Sequence, residues 1–184
     1  MWLVIGYGNL LRADDGAGRR LAELLAQRLP AAAVRVLSVH QLTPELCLEI
    51  ACASVDRVLF IDAAAGQQRP FLLHRLRSEG GEGRCGHQLS PEVLLMLCAR
   101  LYGRTPRAWL LTLPSHATPF AEGLSPKTQR ALSQALEHAL ALLHPAGDAS
   151  STATRNNRSH RKLLSRPCQH AQTSEEIPAC DTDG

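Results

Sequence analysis

Residues 2–18 read Trp2-Leu3-Val4-Ile5-Gly6-Tyr7-Gly8-Asn9-Leu10-Leu11-Arg12-Ala13-Asp14-Asp15-Gly16-Ala17-Gly18, and this stretch decides the fold. Its first four residues form a short apolar run closed by Gly-Tyr-Gly-Asn, the pattern of a buried strand that empties into a tight turn. From Asp15 to Leu29 the apolar positions Ala17, Leu21, Leu24, Leu25 and Leu29 recur at helical spacing, and Pro30 stops the pattern. A strand, a loop bearing two adjacent carboxylates, and a helix therefore follow one another at the start of the chain.

The same alternation continues outward. Val34 to Leu37 reads as a second strand, Thr43 to Ala53 as a second helix, and Val58 to Ile61 as a third strand ending on Asp62. The order βαβαβ argues for a mainly parallel sheet with helices on both faces. Phe71 to Leu76 reads as a fourth strand. The link to it from Asp62 is too short for a crossover helix, so an antiparallel pairing is expected. A polar, glycine-rich loop over residues 78–86 leads to His87. A helix from Ser90 to about Leu101, a strand from Ala108 to Leu113, and an amphipathic helix from Ser125 to about Leu143 complete the pattern. The expectation is an α/β fold: a single three-layer domain over residues 1–145, with a mostly parallel twisted sheet flanked by helices. Residues 146–184 turn to Ser, Thr, Asn, Arg and Gln, which bury too little apolar surface to offset ordering entropy, and read as a disordered tail.

Composition agrees with one packed domain. The 184 residues are 45% hydrophobic and 20% charged, ordinary for a globular protein. The net charge of +3 is small and comes partly from the basic stretch Arg155, Arg158, Arg161, Lys162 and Arg166, which makes no case for nucleic acid. No secretory signal pattern is visible, and the longest apolar runs fall far short of the roughly 18 residues of a membrane span. Six cysteines carry no C-x-x-C pair or recognised zinc spacing, as expected of reduced thiols. A cytoplasmic monomer with no membrane association is the resulting expectation.

One short repeat stands out. His40-Gln41-Leu42-Thr43-Pro44-Glu45 returns as His87-Gln88-Leu89-Ser90-Pro91-Glu92. Both copies read as helix starts, with Thr43 or Ser90 as N-cap, Pro44 or Pro91 at the first helical position, and the leucine packing back onto the first turn. Leu124-Ser125-Pro126 uses the same device. Capping chemistry explains everything in the repeat except its two histidines. Each sits about three residues ahead of a positive helix end, which disfavours an imidazolium and leaves a ring nitrogen for a metal.

The glycines of the opening motif invite a dinucleotide reading, which fails twice. A third glycine is needed where Leu11 stands, and an acidic residue near the end of strand two, where the chain has Ser38 and Val39. Asp14 by itself reads as a capping residue. Asp15 gains meaning from Asp62, because strand-end aspartates at the carboxyl edge of a parallel sheet lie where such folds bind ligands. His87, approached through a flexible loop, can reach that edge too. Two carboxylates and one imidazole form an N/O set suited to nickel, zinc or iron. Ser115-His116 lies in a loop without a Gly-x-Ser-x-Gly elbow, and its role reads as loop structure.

The Gly-x-Gly-Asn-x-Leu-x-x-Asp-Asp-Gly start, the strand closing on Asp62-Ala63, and the His87-to-Glu92 segment, in this order, resemble the hydrogenase maturation proteases over residues 1 to about 143. The resemblance implies an endopeptidase that recognises nickel already inserted in a hydrogenase large-subunit precursor and removes the precursor's C-terminal extension. It puts the metal-contacting acidic residue on Asp15, the strand aspartate on Asp62 and the histidine on His87. The chain departs from the family pattern in two places. Some members have Glu at the position of Asp15, and many carry an acidic residue where Ser38 and His40 stand, so His40 is a candidate to supplement His87. Two other readings remain open. One is a non-catalytic nickel-binding maturation chaperone, and the other is a nucleotide-binding module resting on Gly6 and Gly8 alone.

Overall fold

The structure, a computed structural model, describes residues 1–76, 89–116 and 120–144. His87, the whole glycine-rich loop and the tail expected over 146–184 lie outside the described residues. The chain runs β1 (Trp2–Tyr7), a 3-10 turn (Ala13–Gly16), α1 (Ala17–Arg28), β2 (Val34–Val39), α2 (Leu46–Ile50), β3 (Arg57–Ala65), β4 (Leu72–Leu76), α3 (Pro91–Tyr102), β5 (Arg107–Ser115) and α4 (Pro126–Leu143). The five strands form one sheet in the order β2-β1-β3-β5-β4. β1, β2, β3 and β5 are parallel, and β4 pairs antiparallel with β5 at the edge. That edge strand follows from the short link, which leaves no residues for a crossover.

Strand alternation separates two cores. Trp2, Val4, Leu59, Ile61, Leu111 and Leu113 face α1 and α4 on one side. Leu3, Ile5, Val58, Phe60 and Ala108 face α2 and α3 on the other. Side chains two apart point the same way along a strand, so continuous apolar runs in the central strands supply both layers at once. No described helix is long and apolar enough to cross a membrane.

Two expectations are corrected here. β3 does not end on Asp62; it continues through Ala65, paired with β5 as far as Ala65 with Ser115. Asp62 is instead the first β3 residue past the last β1 pairing, Gly6 with Ile61. The second helix is only five residues long and begins at Leu46, with Glu45 as its N-cap and no side-chain cap. Ser90 and Ser125 do cap their helices, accepting from Val93 N–H and Thr128 N–H at 3.3 Å each, with a proline at the start of each helix. The Thr43 hydroxyl bonds to the Glu45 carboxylate instead and holds that carboxyl below its usual range.

β1 lies between β2 and β3, and the connections leave it in opposite directions: through α1 to β2, then through α2 back across to β3. This reversal of strand order opens a crevice at the carboxyl ends of β1 and β3. Gly8 shapes its floor. Its φ of +132° lies in a region other residues rarely adopt, and a Cβ there would collide with the Asp15 carbonyl oxygen.

Candidate functional site

The crevice is an open cleft of about 140 Å³ whose lining includes Tyr7, Asn9, Arg12, Asp15, His40 and Asp62. Asp15 is positioned by the opening motif itself. Leu11 N–H donates to Asn9 Oδ1 at 2.9 Å, a local turn of the kind asparagine favours. The Asn9 N–H then donates to Asp15 Oδ2 at 2.9 Å. The Gly-Asn of the motif therefore orients a carboxylate rather than a phosphate.

Asp62 enters from the neighbouring strand. Its Oδ1 accepts from Ala63 N–H at 2.7 Å, and the Tyr7 hydroxyl donates to the same carboxylate. Burial dominates its protonation and pushes it up to about 6; the two donations oppose that shift and the nearby Asp15 charge reinforces it. For Tyr7, burial and then the negative Asp62 beside it drive the phenol far above its ordinary range. Tyr7 therefore stays a neutral donor. Two carboxylates close enough to repel, one of them titrating near neutrality, create demand for a positive charge between them.

Of the residues expected to form the site, Asp15 and Asp62 share the cleft, while His87 lies outside the described residues. Leu89, two positions after His87, does line the cleft. His40 lines it as well, from the turn after β2, and its carbonyl accepts from Gly8 N–H at 3.2 Å. Among the described residues no group of three His, Cys, Asp or Glu side chains stands close enough to hold a metal ion, so His40 does not complete a ligand set with the two aspartates. Sequence reasoning missed Tyr7. Its signal was a phenol flanked by two glycines at a strand end, where only a special position explains a bulky side chain.

Asp14 does something other than chemistry. It is fully buried. Its Oδ1 accepts from Ser125 N–H at 2.7 Å, and its Oδ2 from Ser125 Oγ and His116 N–H at 2.9 Å each. Burial alone would raise this carboxyl, but donations from Ser125, His116 and Thr128 outweigh it and hold the group below its ordinary value. Asp14 thus caps a helix, though not its own: it ties the 3-10 turn to the end of β5 and to the N-terminus of α4. His116 joins this knot through its N–H, whereas Ser115 is not in a loop as expected but is the last residue of β5, paired with Ala65. A depressed folded-state value means that this stabilisation is present above the ordinary carboxylate range and is lost as pH falls through the lower folded value. Asp14→Ala should lower the unfolding free energy by about 2–4 kcal/mol, since buried donors lose a charged acceptor. Urea denaturation at pH 7 measures it, and a loss of a few tenths would refute the assignment.

The chain matches no family model. It is 30% identical over 154 residues to the hydrogenase 2 maturation protease of Escherichia coli (strain K12), a match covering 79% of this chain and 92% of that protein. Among solved structures, the hydrogenase maturating endopeptidase HybD from E. coli superposes with a TM-score of 0.62 at 25% identity, covering 79% of this chain and 93% of the other. The NiFe hydrogenase maturation protease HycI from Thermococcus kodakarensis KOD1 gives 0.64 at 21% identity, with 77% and 91% covered, a likeness of fold.

Proposed function

The chain belongs to the hydrogenase maturation proteases, and from that premise we propose that it removes the C-terminal extension of a nickel-iron hydrogenase large-subunit precursor once nickel is in place. The observation that carries the reading is the pair Asp15 and Asp62 in one cleft at the strand-order reversal, from two motifs more than forty residues apart. Nickel is part of the substrate here. Carboxylates that repel one another gain most from a divalent ion held between them, and His87 would complete the shell. Leu89, on the cleft wall two residues after His87, supports that third ligand. The protein would thus test for the metal before cutting, and an empty precursor would leave the two acids unneutralised.

Cleavage requires water to add to the scissile carbonyl carbon, the C–N bond to break, and a proton to reach the leaving amine. A carboxyl titrating near 6 is suited to moving that proton at neutral pH, which favours Asp62 over the buried Asp14. Tyr7, a neutral donor, fixes the orientation of Asp62. The substrate's nickel would polarise the carbonyl or activate the water.

The test is to incubate the purified chain with nickel-loaded and with nickel-free precursor and to weigh the large subunit by mass spectrometry. The loaded precursor should lose the mass of its extension and the empty one should not. A loaded precursor of unchanged mass would favour the non-catalytic chaperone, which uses the same ligands.

A further inference from the structure

Hydrolysis at this cleft needs something that its two acids do not supply. When water adds to the scissile carbonyl, the carbonyl oxygen becomes an anion, which neighbouring carboxylates repel. Among the described residues that line the cleft, Arg12 is the only arginine or lysine. Asp15 stands three residues later in the same turn, yet the two do not pair: no carboxylate oxygen of the described residues lies within 4.0 Å of the Arg12 guanidinium nitrogens. The cleft therefore holds a positive charge that its own acids leave uncommitted.

The backbone holds Arg12 at this wall. Its N–H donates to Asn9 O at 3.1 Å, and its carbonyl accepts from Asp15 N–H at 3.0 Å. On the other side, Ala13 N–H donates to Ala121 O at 2.9 Å and Ala121 N–H to Leu11 O at 3.2 Å, so that Arg12 and Ala121 form a parallel bridge. The next residue, Ala13, has a φ of +42° and is the one non-glycine among the described residues with a positive value. A side chain in that region is strained, and such strain persists where the surroundings impose a working pose. The strained residue separates Arg12, in the cleft wall, from Asp14, buried in the knot at the start of α4. It lets Arg12 and Asp15 serve the cleft while Asp14 between them serves the knot.

We propose that Arg12 is a further catalytic residue, its guanidinium donating to the scissile carbonyl oxygen as that oxygen becomes an anion. This rests on the processing reading above and leaves the substrate's nickel to activate the water. Water adds its oxygen to the carbonyl carbon and passes a proton to Asp62, while the carbonyl π pair moves onto the oxygen that Arg12 holds. Collapse returns that pair, breaks the C–N bond and sends the proton from Asp62 to the leaving amine. The planar fork of a guanidinium matches both this oxyanion and the carboxylate that the reaction leaves behind.

The experiment uses full-length protein and nickel-loaded precursor, with initial rates by mass spectrometry over a range of precursor concentrations. Arg12→Ala should lower kcat about 10²–10³-fold, the usual effect of removing an oxyanion donor, and leave KM within about threefold. Guanidinium ion, added far below its denaturing range, should restore about tenfold or more of that loss, which a merely structural arginine would not allow. Arg12→Lys keeps the charge without the fork and should fall between Arg12→Ala and wild type. Arg12 is exposed, so the thermal midpoints of both variants should not move. A kcat for Arg12→Ala within about threefold of wild type, a rise in KM alone, or a loss that guanidinium does not recover overturns the assignment while the protease reading stands. Failure of the wild type to cleave would appear before any variant is compared, and would remove both.

Discussion

Asp62→Asn should abolish processing while making the free protein no less stable. Loss of a positioned acid–base or charge-stabilising carboxylate lowers rates on the order of 10²–10⁴-fold, and the substitution also removes one of the two charges proposed to meet the substrate's nickel. The stability side follows from linkage. Burial raises the folded-state value of Asp62 to about 6, so between the unfolded value near 4 and that of the folded state the native protein binds more protons than the unfolded chain. Stability therefore falls as pH rises through this window, and above it the ionised Asp62 destabilises the fold by at most about 3 kcal/mol. Asparagine removes that penalty and keeps both partners: its oxygen accepts from Ala63 N–H, and the Tyr7 hydroxyl can accept from its amide. Urea denaturation at pH 5 and pH 8 should show the variant equal or more stable, with the larger gain at pH 8. Processing retained by a folded Asp62→Asn protein would remove Asp62 from the site. A gain that is larger at pH 5 would refute the account of its burial.

Such a residue, costly to stability and proposed to act in processing, is where local folding preference and a working site would conflict. Much of the fold was legible because local signals agreed. Continuous apolar runs at Trp2–Ile5 and Val58–Ile61 announced strands buried on both faces, and the short link before β4 announced its antiparallel pairing. What could not be read was set by partners distant in the chain. β3 extends past Asp62 because β5 pairs with it as far as Ser115, and no pattern around Asp62 encodes that register. Asp14 looked like a local cap, and its partners His116 and Ser125 are 102 and 111 residues away. Thr43 and Ser90 sit in nearly identical hexapeptides, yet only Ser90 caps. The first amides of α2 are taken by tight turns onto backbone carbonyls, Leu46 N–H to Thr43 O and Cys47 N–H to Pro44 O, and the Thr43 hydroxyl turns to the Glu45 carboxylate instead. The candidate site was legible in Asp15 and Asp62 because chemistry-bearing residues stood where strands end. Tyr7 was not, because a tyrosine announces no role before its neighbours are known.

Gly18→Ala should be a severely damaging single-methyl change, and it tests why the opening motif contains a glycine inside its helix. By helix propensity alone, alanine at the second position of α1 gains about 1 kcal/mol over glycine. Packing reverses that sign. A Cβ on Gly18 would collide with the Ile61 carbonyl oxygen and lie 2.6 Å from the Tyr7 carbonyl oxygen. Both obstacles are backbone in the central strands, so neither can rotate away. The helix must lift off β1 and β3 instead, opening the core of Leu21, Leu25 and Ile61 and shifting the turn that carries Asp15. Overpacking of this kind costs about 1–3 kcal/mol where side chains can adjust, and more where they cannot. The net expectation is a loss of about 3 kcal/mol or more in urea denaturation, or failure to recover folded protein. Gly66→Ala provides the control: its φ is +76° but nothing lies within 4 Å of the added carbon, so only backbone strain of about 1–2 kcal/mol applies. A Gly18→Ala protein as stable as Gly66→Ala would mean that α1 does not sit directly on the strand ends, and the cleft proposed to bring Asp15 and Asp62 to one cation would lose its support.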